Sequence, residues 1–97
     1  MLFTLEVDGR AVLVMAEDDL ASATEAACAP PMTEQLSGLD HGGRRLWNGR
    51  ALPRVRPADV AEAAAWHEAF AEAVAEGDAY EDEADSWATF LIDVAPR

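Results

Sequence analysis

The chain has 97 residues, of which 19 are acidic, seven are arginine and none is lysine, so its formal net charge is −12. This length predicts a single domain over residues 1–97 with a small core, and a hydrophobic fraction of 51% argues against a disordered chain. Such an excess of acid disfavours nucleic acids and anionic membranes as partners. We therefore expect a protein partner with a basic patch or, because so short a chain buries little apolar surface, a homodimer.

The composition also has explanations that involve no partner. Acidity serves solubility, acid without lysine suits a high-salt cytoplasm, and a chain rich in alanine and arginine is typical of a GC-rich bacterial genome. Cys28 is the only cysteine and permits no internal disulfide. The first ten residues lack the basic and apolar regions of a secretory signal, so we expect a cytoplasmic protein.

The N-terminal residues predict a β-hairpin. Residues 2–7 alternate with the period of a strand, residues 8–9 (Asp-Gly) are a strong two-residue turn signal, and residues 10–16 return as a second strand. A regular ladder across this turn pairs Leu5 with Val12. The register decides which side chains share a face of the sheet.

Two main helices follow from spacing and capping signals. The first starts after the acidic residues 17–19 and ends near Cys28, and a short helical piece is predicted at 33–39. The second spans 58–76 and ends at Gly77. Its apolar residues recur at helical spacing and predict this buried face: Val60, Ala63, Ala64, His67, Phe70, Ala71 and Val74.

The resulting order ββαββαβ predicts an α+β fold, a small antiparallel sheet of about five strands with both helices packed on one face. The last strand is expected at 86–94. Helices on one side leave the other sheet face open, and exposed apolar faces mark interfaces. That face predicts an oligomer interface made of Leu2, Leu13, Met15, Trp87 and Leu91. The alternative is a third layer, with segment 29–43 folded over this face.

Five of the seven arginines fall within residues 44–56. Residues 44–58 carry a net charge of +5, whereas residues 1–43 carry −7 and residues 59–97 carry −10. Asn-Gly at 48–49 predicts a hairpin. Strand alternation across it gathers four arginines around a tryptophan on one face, which is a candidate anion-binding or partner-binding site: Arg45, Trp47, Arg50, Arg54 and Arg56.

These arginines have three candidate partners. The spacing of Glu68, Glu72 and Glu76 makes a ladder of like charges on one helix face, which needs counter-charges. Pairing within the chain or with a dimer mate is therefore favoured over a foreign carboxylate. Nucleic acid comes last, because proteins that bind it normally have a basic surface overall.

No catalytic, metal or cofactor site is predicted, since the chain contains no nucleophile-elbow, P-loop, dinucleotide or zinc motif. We expect His67 to be a core or boundary residue and Cys28 to be a buried helix-end residue. The acidic loop 78–85 does not match a calcium-binding loop, and a solvated loop is favoured.

The sequence thus predicts a small acidic, non-enzymatic protein-interaction module that forms homo-oligomers. Two alternatives stay open. One is an anion-binding or regulatory domain that uses the arginine-rich segment 44–56. The other is an acidic inhibitor or antitoxin-like protein, for which the acidity is the only support.

Overall fold

The computed structural model describes residues 1–97 and contains three α-helices and seven short strands. One further turn, Glu81–Glu83, is a 3-10 helix. In chain order the elements are β1 (Leu2–Val7), β2 (Arg10–Ala16), α1 (Leu20–Cys28), α2 (Pro30–Ser37), β3 (Leu39–His41), β4 (Arg44–Arg45), β5 (Arg54–Pro57), α3 (Val60–Ala75), β6 (Ala88–Phe90) and β7 (Ala95–Pro96).

The strands form two antiparallel sheets, with the order β5-β1-β2-β6 in the larger and β4-β3-β7 in the smaller. The α+β class is therefore confirmed, whereas the single sheet of about five strands is wrong. None of the helices combines the length and the apolar character that crossing a bilayer requires.

A β-bulge changes the register of the first hairpin. Asp8 and Gly9 both have positive φ, as the predicted tight turn requires. After this turn Glu6 pairs with Ala11 but Leu5 pairs with Leu13, so Val12 is an extra residue in β2. The predicted pairing of Leu5 with Val12 is wrong for this reason.

The helices lie on both faces of the larger sheet, and the predicted arrangement with both on one face is wrong. Phe3 and Leu5 of β1 pack with Ala23 and Ala27 of α1 and with Leu36 of α2. The other face is a separate cluster, in which Val14 and Ala16 of β2 pack with Trp66 of α3. The sheet is thus the middle of three layers, but the alternative prediction is only partly right: α3 forms the layer over the second face, whereas α2, in segment 29–43, packs on the same face as α1.

The five residues of the predicted oligomer interface do not share an open face. The bulge turns Leu13 and Met15 toward α1 and α2, where both are buried. Leu2, Trp87 and Leu91 are half-buried against the α3 cluster. All five residues are therefore buried or half-buried within this chain.

The predicted hairpin at 44–56 is also wrong. The chain bends at residues 49–51, and the Arg50 amide donates to the Asn48 side chain over 2.8 Å, but no backbone hydrogen bond closes a turn at 48–49. The segments on either side diverge, because β4 pairs with β3 while β5 pairs with β1. Burial of Leu46, Trp47 and Pro53 draws the intervening segment into the body of the molecule.

Capping residues set the helix starts. Asp19 accepts from the Ser22 amide at the start of α1 over 2.7 Å, and Asp59 forms a capping box with Glu62 at the start of α3. The prolines at 30–31 open α2 rather than delay it, since the first helical positions need no amide hydrogen. The helix predicted at 33–39 therefore starts three residues earlier.

The buried face of α3 is rotated from the predicted one. Trp66 is 4% exposed and Phe70 is half-buried, whereas Val60 is 89% exposed. His67 is exposed as well, so its assignment to the core or boundary is wrong. The Trp66 indole decides the rotation, because its ring packs against Val14 and its Nε1 donates to the Trp87 carbonyl over 2.9 Å.

Candidate protein-interaction surface

One arginine of the segment 44–56, Arg56, forms salt bridges within the chain to Glu62 and Glu6, an arrangement that we call the clasp. Arg56 donates from Nη1 and Nη2 to the two carboxylate oxygens of Glu62 over 2.7 and 2.9 Å. Its Nε donates to Glu6 over 3.1 Å, and the buried Thr4 hydroxyl donates to Glu62 over 2.9 Å. This network joins β1, β5 and α3, so it is the internal pairing that the sequence favours, realised for one arginine only.

The clasp shifts the ionisation of both partners. The hydrogen bonds from Arg56 lower the pKa of Glu62 to about 2, and the Asp59 amide and the Thr4 hydroxyl act in the same direction. The hydrogen bond to Glu62, and then that to Glu6, raises the pKa of Arg56. Both groups are therefore charged at neutral pH, and their charges are paired with each other inside the chain rather than available to an external partner.

The other four arginines of the segment make no salt bridge. Arg44, Arg45, Arg50 and Arg54 are all exposed, and the salt bridges of the molecule involve only Arg56 and Arg97. In strand register Arg45 lies beside Asp40, but the Asp40 carboxylate is paired with Arg97 over 3.1 Å. Four guanidinium groups are thus free to bind an external anion.

The predicted grouping of these arginines around Trp47 does not form. Trp47 is 9% exposed, and its Nε1 donates to the Ala51 carbonyl over 2.6 Å. Arg45 belongs to the smaller sheet and Arg54 to the larger one. The exposed apolar side chain of this segment is Leu52 rather than Trp47. Leu52 lies between Arg50 and Arg54 in the chain, and 68% of its surface is exposed to solvent.

A groove lies between the C-terminal half of α3 and the following loop. It consists of two adjoining depressions of about 700 and 350 Å³, which share Val74 and Glu81. The helix side is apolar and the loop side contributes an aromatic ring and two carboxylates. The lining residues are Phe70, Ala71, Val74, Ala75, Gly77, Ala79, Tyr80, Glu81 and Asp82.

The walls of this groove are held by internal contacts. The Phe70 ring stacks on Trp66 with centroids 5.1 Å apart and meets Trp87 edge-on at 5.3 Å. Amides of residues 78 and 79 donate to the Ala73 carbonyl over 2.8 and 3.2 Å, after Gly77 turns the chain at φ 82°. A partner that binds here meets a preformed surface, which lowers the ordering cost of binding.

Acidic residues surround the groove on the helix side too. Glu68 and Glu72 are exposed and lie one helical turn before Ala71 and Ala75, on the same edge of the helix. Between Arg56 and Arg97 the chain has no arginine or lysine and 11 acidic residues. A groove with an apolar floor and acidic residues on both sides fits a cationic segment that carries an apolar side chain.

The charges on α3 oppose the stability of the helix itself. Glu68, Glu72 and Glu76 form two like-charge pairs four residues apart, and each pair costs about 0.2–0.5 kcal/mol. Glu72 and Glu76 lie at the C-terminal end of α3, where the helix dipole is negative, and the last turn has no basic residue. None of the three has a salt-bridge partner within the chain. A cationic partner would relieve both conflicts.

The residues considered for chemistry are scattered. No group of three or more His, Cys, Asp and Glu side chains is arranged to hold a metal ion. His41 is half-buried, and its Nδ1 lies 2.6 Å from the Asp93 carbonyl, to which it donates. Cys28 is half-buried at the end of α1, rather than fully buried as expected.

Sequence reasoning missed the groove. Tyr80 is 73% exposed beside the apolar end of α3, and the sequence assigns it only to a solvated acidic loop. The available signal was the single aromatic residue within the acidic run 76–85. Tyrosine is enriched at the centres of protein interfaces, so its position marks more than a solvated loop.

Comparison of the chain with protein-family models, curated proteins and solved structures gave no match. The functional argument therefore depends on the geometry and charge of the surfaces described above.

Proposed function

We propose that the protein is a non-enzymatic protein-interaction module that binds a basic partner segment through the groove beside α3. The single observation that carries this proposal is a preformed apolar groove whose neighbouring acids, Glu68 and Glu72 on α3 and Glu81 and Asp82 on its wall, lack partners within the chain. In this proposal an apolar side chain of the partner enters the groove, and flanking cations meet the carboxylates.

The electrostatic cost on α3 supports this function. Like charges at four-residue spacing near a helix C-terminus reduce stability, and binding sites commonly retain such costs because function requires them. Solubility alone needs acids but does not need them next to an apolar groove. The exposed Tyr80 ring adds a face on which a guanidinium group can stack.

We further infer that the module works in the cytoplasm, since its lone Cys28 is unpaired. A specific form of the proposal is an acidic inhibitor or antitoxin-like protein, which would cover the basic surface of its target. This form shares the groove and differs only in the partner's activity.

Titration of ¹⁵N-labelled protein with the peptide RRLRR tests the proposal. We expect amide shifts concentrated in residues 70–82, because these residues line the groove. Peptide RRSRR, which lacks the apolar residue, should bind more weakly, and EELEE should not bind. Salt should weaken the interaction, because exposed charges are screened beyond about 10 Å at 0.1 M ionic strength and about 3 Å at 1 M.

The controls separate a site from general acidity. The double variant Glu72→Lys/Glu81→Lys should lose most of the affinity for RRLRR. The variant Glu25→Lys/Glu34→Lys alters net charge equally, but on exposed residues of α1 and α2 across the sheet, and should keep the affinity. Equal losses in the two variants, or shifts spread evenly over the protein, would contradict the proposal.

A second candidate function is anion binding through the arginines of segment 44–56. The observation in its favour is that Arg44, Arg45, Arg50 and Arg54 are exposed without a salt bridge. Thermal shift with inorganic phosphate, citrate and ATP tests it. A melting temperature that rises with anion concentration in the native protein, but not in Arg50→Gln/Arg54→Gln, would support it by linkage. A melting temperature that does not rise with any of these anions would exclude this second function.

A further inference from the structure

We propose that the groove beside α3 binds the segment Arg50–Arg54 of a second copy of this chain, with Leu52 as the side chain that enters it. This inference rests on the proposed function, because it uses the same groove and names its partner. It predicts self-association in which one surface of each copy is basic and the other is acidic.

The donor segment carries the chemistry that the groove fits. Leu52 is 68% exposed, so its side chain is available to contact another molecule. The sequence around it is Arg-Ala-Leu-Pro-Arg, and Arg50 and Arg54 are exposed without salt bridges. The segment therefore presents one apolar residue between two free cations.

The segment is also held in a shape suited to docking. Pro53 is buried and Trp47 donates to the Ala51 carbonyl over 2.6 Å, so both ends of the Leu52 loop are fixed to the core. Little conformational freedom is left to lose on binding. The loop precedes β5, one of the two edge strands of the larger sheet.

The groove offers the opposite pattern. Its apolar floor contains Phe70 and Val74, and its loop wall carries the carboxylates of Glu81 and Asp82. One aliphatic side chain fits a depression of about 350 Å³ lined by Phe70, Ala71, Val74, Ala75 and Glu81. The cations on either side of Leu52 then lie near carboxylates on the groove wall and on α3.

Charge distribution favours a second copy over an unrelated partner. Residues 44–58 carry +5 and residues 59–97 carry −10, so the most basic and the most acidic segments belong to the same chain. Within one copy the two surfaces do not satisfy each other, because Leu52 and Tyr80 both stay exposed. At high protein concentration, the basic segment of one copy can instead pair with the acidic groove of another.

Sedimentation velocity over a range of protein concentrations tests this inference through complementary charge reversal. Variant K, Arg50→Glu/Arg54→Glu, reverses the donor segment. Variant G, Glu81→Arg/Asp82→Arg, reverses the groove. In a mixture of K and G every donor–groove contact between unlike copies is again attractive, whereas contacts between like copies are repulsive.

We expect the native chain to sediment as species larger than its monomer mass of 10.4 kDa. Variant K alone and variant G alone should each associate at least about tenfold more weakly. Their equimolar mixture should associate again. Leu52→Ser should weaken association, whereas Val60→Ser, at a residue 89% exposed on α3, should not. Arg10→Glu is the control for charge, since Arg10 is exposed outside both surfaces. Circular dichroism confirms that each variant is folded.

A native chain that stays monomeric at about 1 mM overturns the inference, and so does a K and G mixture that associates no better than either variant alone. The RRLRR titration distinguishes this failure from that of the proposed function. A monomeric chain that still binds RRLRR in the groove has an external basic partner, whereas a chain that binds neither fails both proposals.

Discussion

Replacing Glu62 by glutamine should destabilise the protein and alter how its stability depends on pH. Glutamine keeps a carbonyl oxygen that can accept from the Thr4 hydroxyl and the Asp59 amide, so the capping box can be retained. It removes the negative charge that accepts two hydrogen bonds from Arg56. The variant therefore removes the charge and the acceptor for Arg56 Nη2, while it keeps the hydrogen bonds of the capping box.

The size of the effect follows from the ionisation of Glu62. Its pKa falls from an ordinary 4.5 to about 2 in the folded chain, which at about 1.4 kcal/mol per pKa unit amounts to roughly 3 kcal/mol. The Arg56 side chain is 37% exposed, so water screens part of this interaction. We therefore expect the free energy of unfolding to fall by roughly 2 kcal/mol at pH 7.

The pH dependence has a definite sign. The folded pKa of Glu62 is depressed, so its contribution is present in full above pH 4.5 and is lost as the pH falls toward 2. Urea unfolding followed by circular dichroism at pH 7, 5, 4 and 3 should show the native chain and the variant converging.

Glu68→Gln is the matched control, since Glu68 is exposed on the same helix and has no salt bridge. It should leave stability unchanged within about 0.5 kcal/mol or raise it slightly, because it removes one like-charge pair. A Glu62→Gln variant within 0.5 kcal/mol of the native chain at pH 7, or a difference that stays constant down to pH 3, would refute the reasoning.

Three further perturbations test other parts of the structure, each by the same urea assay. Replacing the unpaired Arg45, Arg50 and Arg54 together by glutamine should alter stability by less than about 0.5 kcal/mol, because exposed groups without partners contribute little; unfolding of this variant would instead show a role in the fold. Trp66→Ala should cost about 3–5 kcal/mol through the cavity it leaves between α3 and the sheet, and a loss below 1 kcal/mol would contradict that packing. Asp19→Ala should lower the urea midpoint by removing the cap of α1, whereas an unchanged midpoint would show that the cap contributes nothing.

Local signals in the sequence predicted the elements better than their arrangement. The turn at 8–9, the start of α1 after the acidic residues 17–19 and the end of α3 at Gly77 depend on a few neighbouring residues, and each is found where expected. The layers depend on one extra residue, Val12, which reverses the faces of Leu13 and Met15. Periodicity alone does not reveal a bulge, so the predicted faces of Leu13 and Met15 are wrong.

The arginine segment shows a second limit. The chain bends after Asn48, but a turn signal does not say whether the flanking residues pair with each other. Burial of Leu46, Trp47 and Pro53 outweighs that local pairing. The sequence identified the charged residues of the candidate surface, whereas the groove depends on how α3 and the 77–82 loop meet in three dimensions.

The affinity of Glu72→Lys/Glu81→Lys for RRLRR, measured together with its melting temperature, tests the central claim most directly. Lysine at 72 converts two repulsive pairs on α3 into attractive ones and favours the helix dipole. We predict that the melting temperature rises by about 5 °C, or roughly 1 kcal/mol, while the affinity falls at least about tenfold. A variant that is more stable and binds RRLRR as tightly as the native chain would contradict the account.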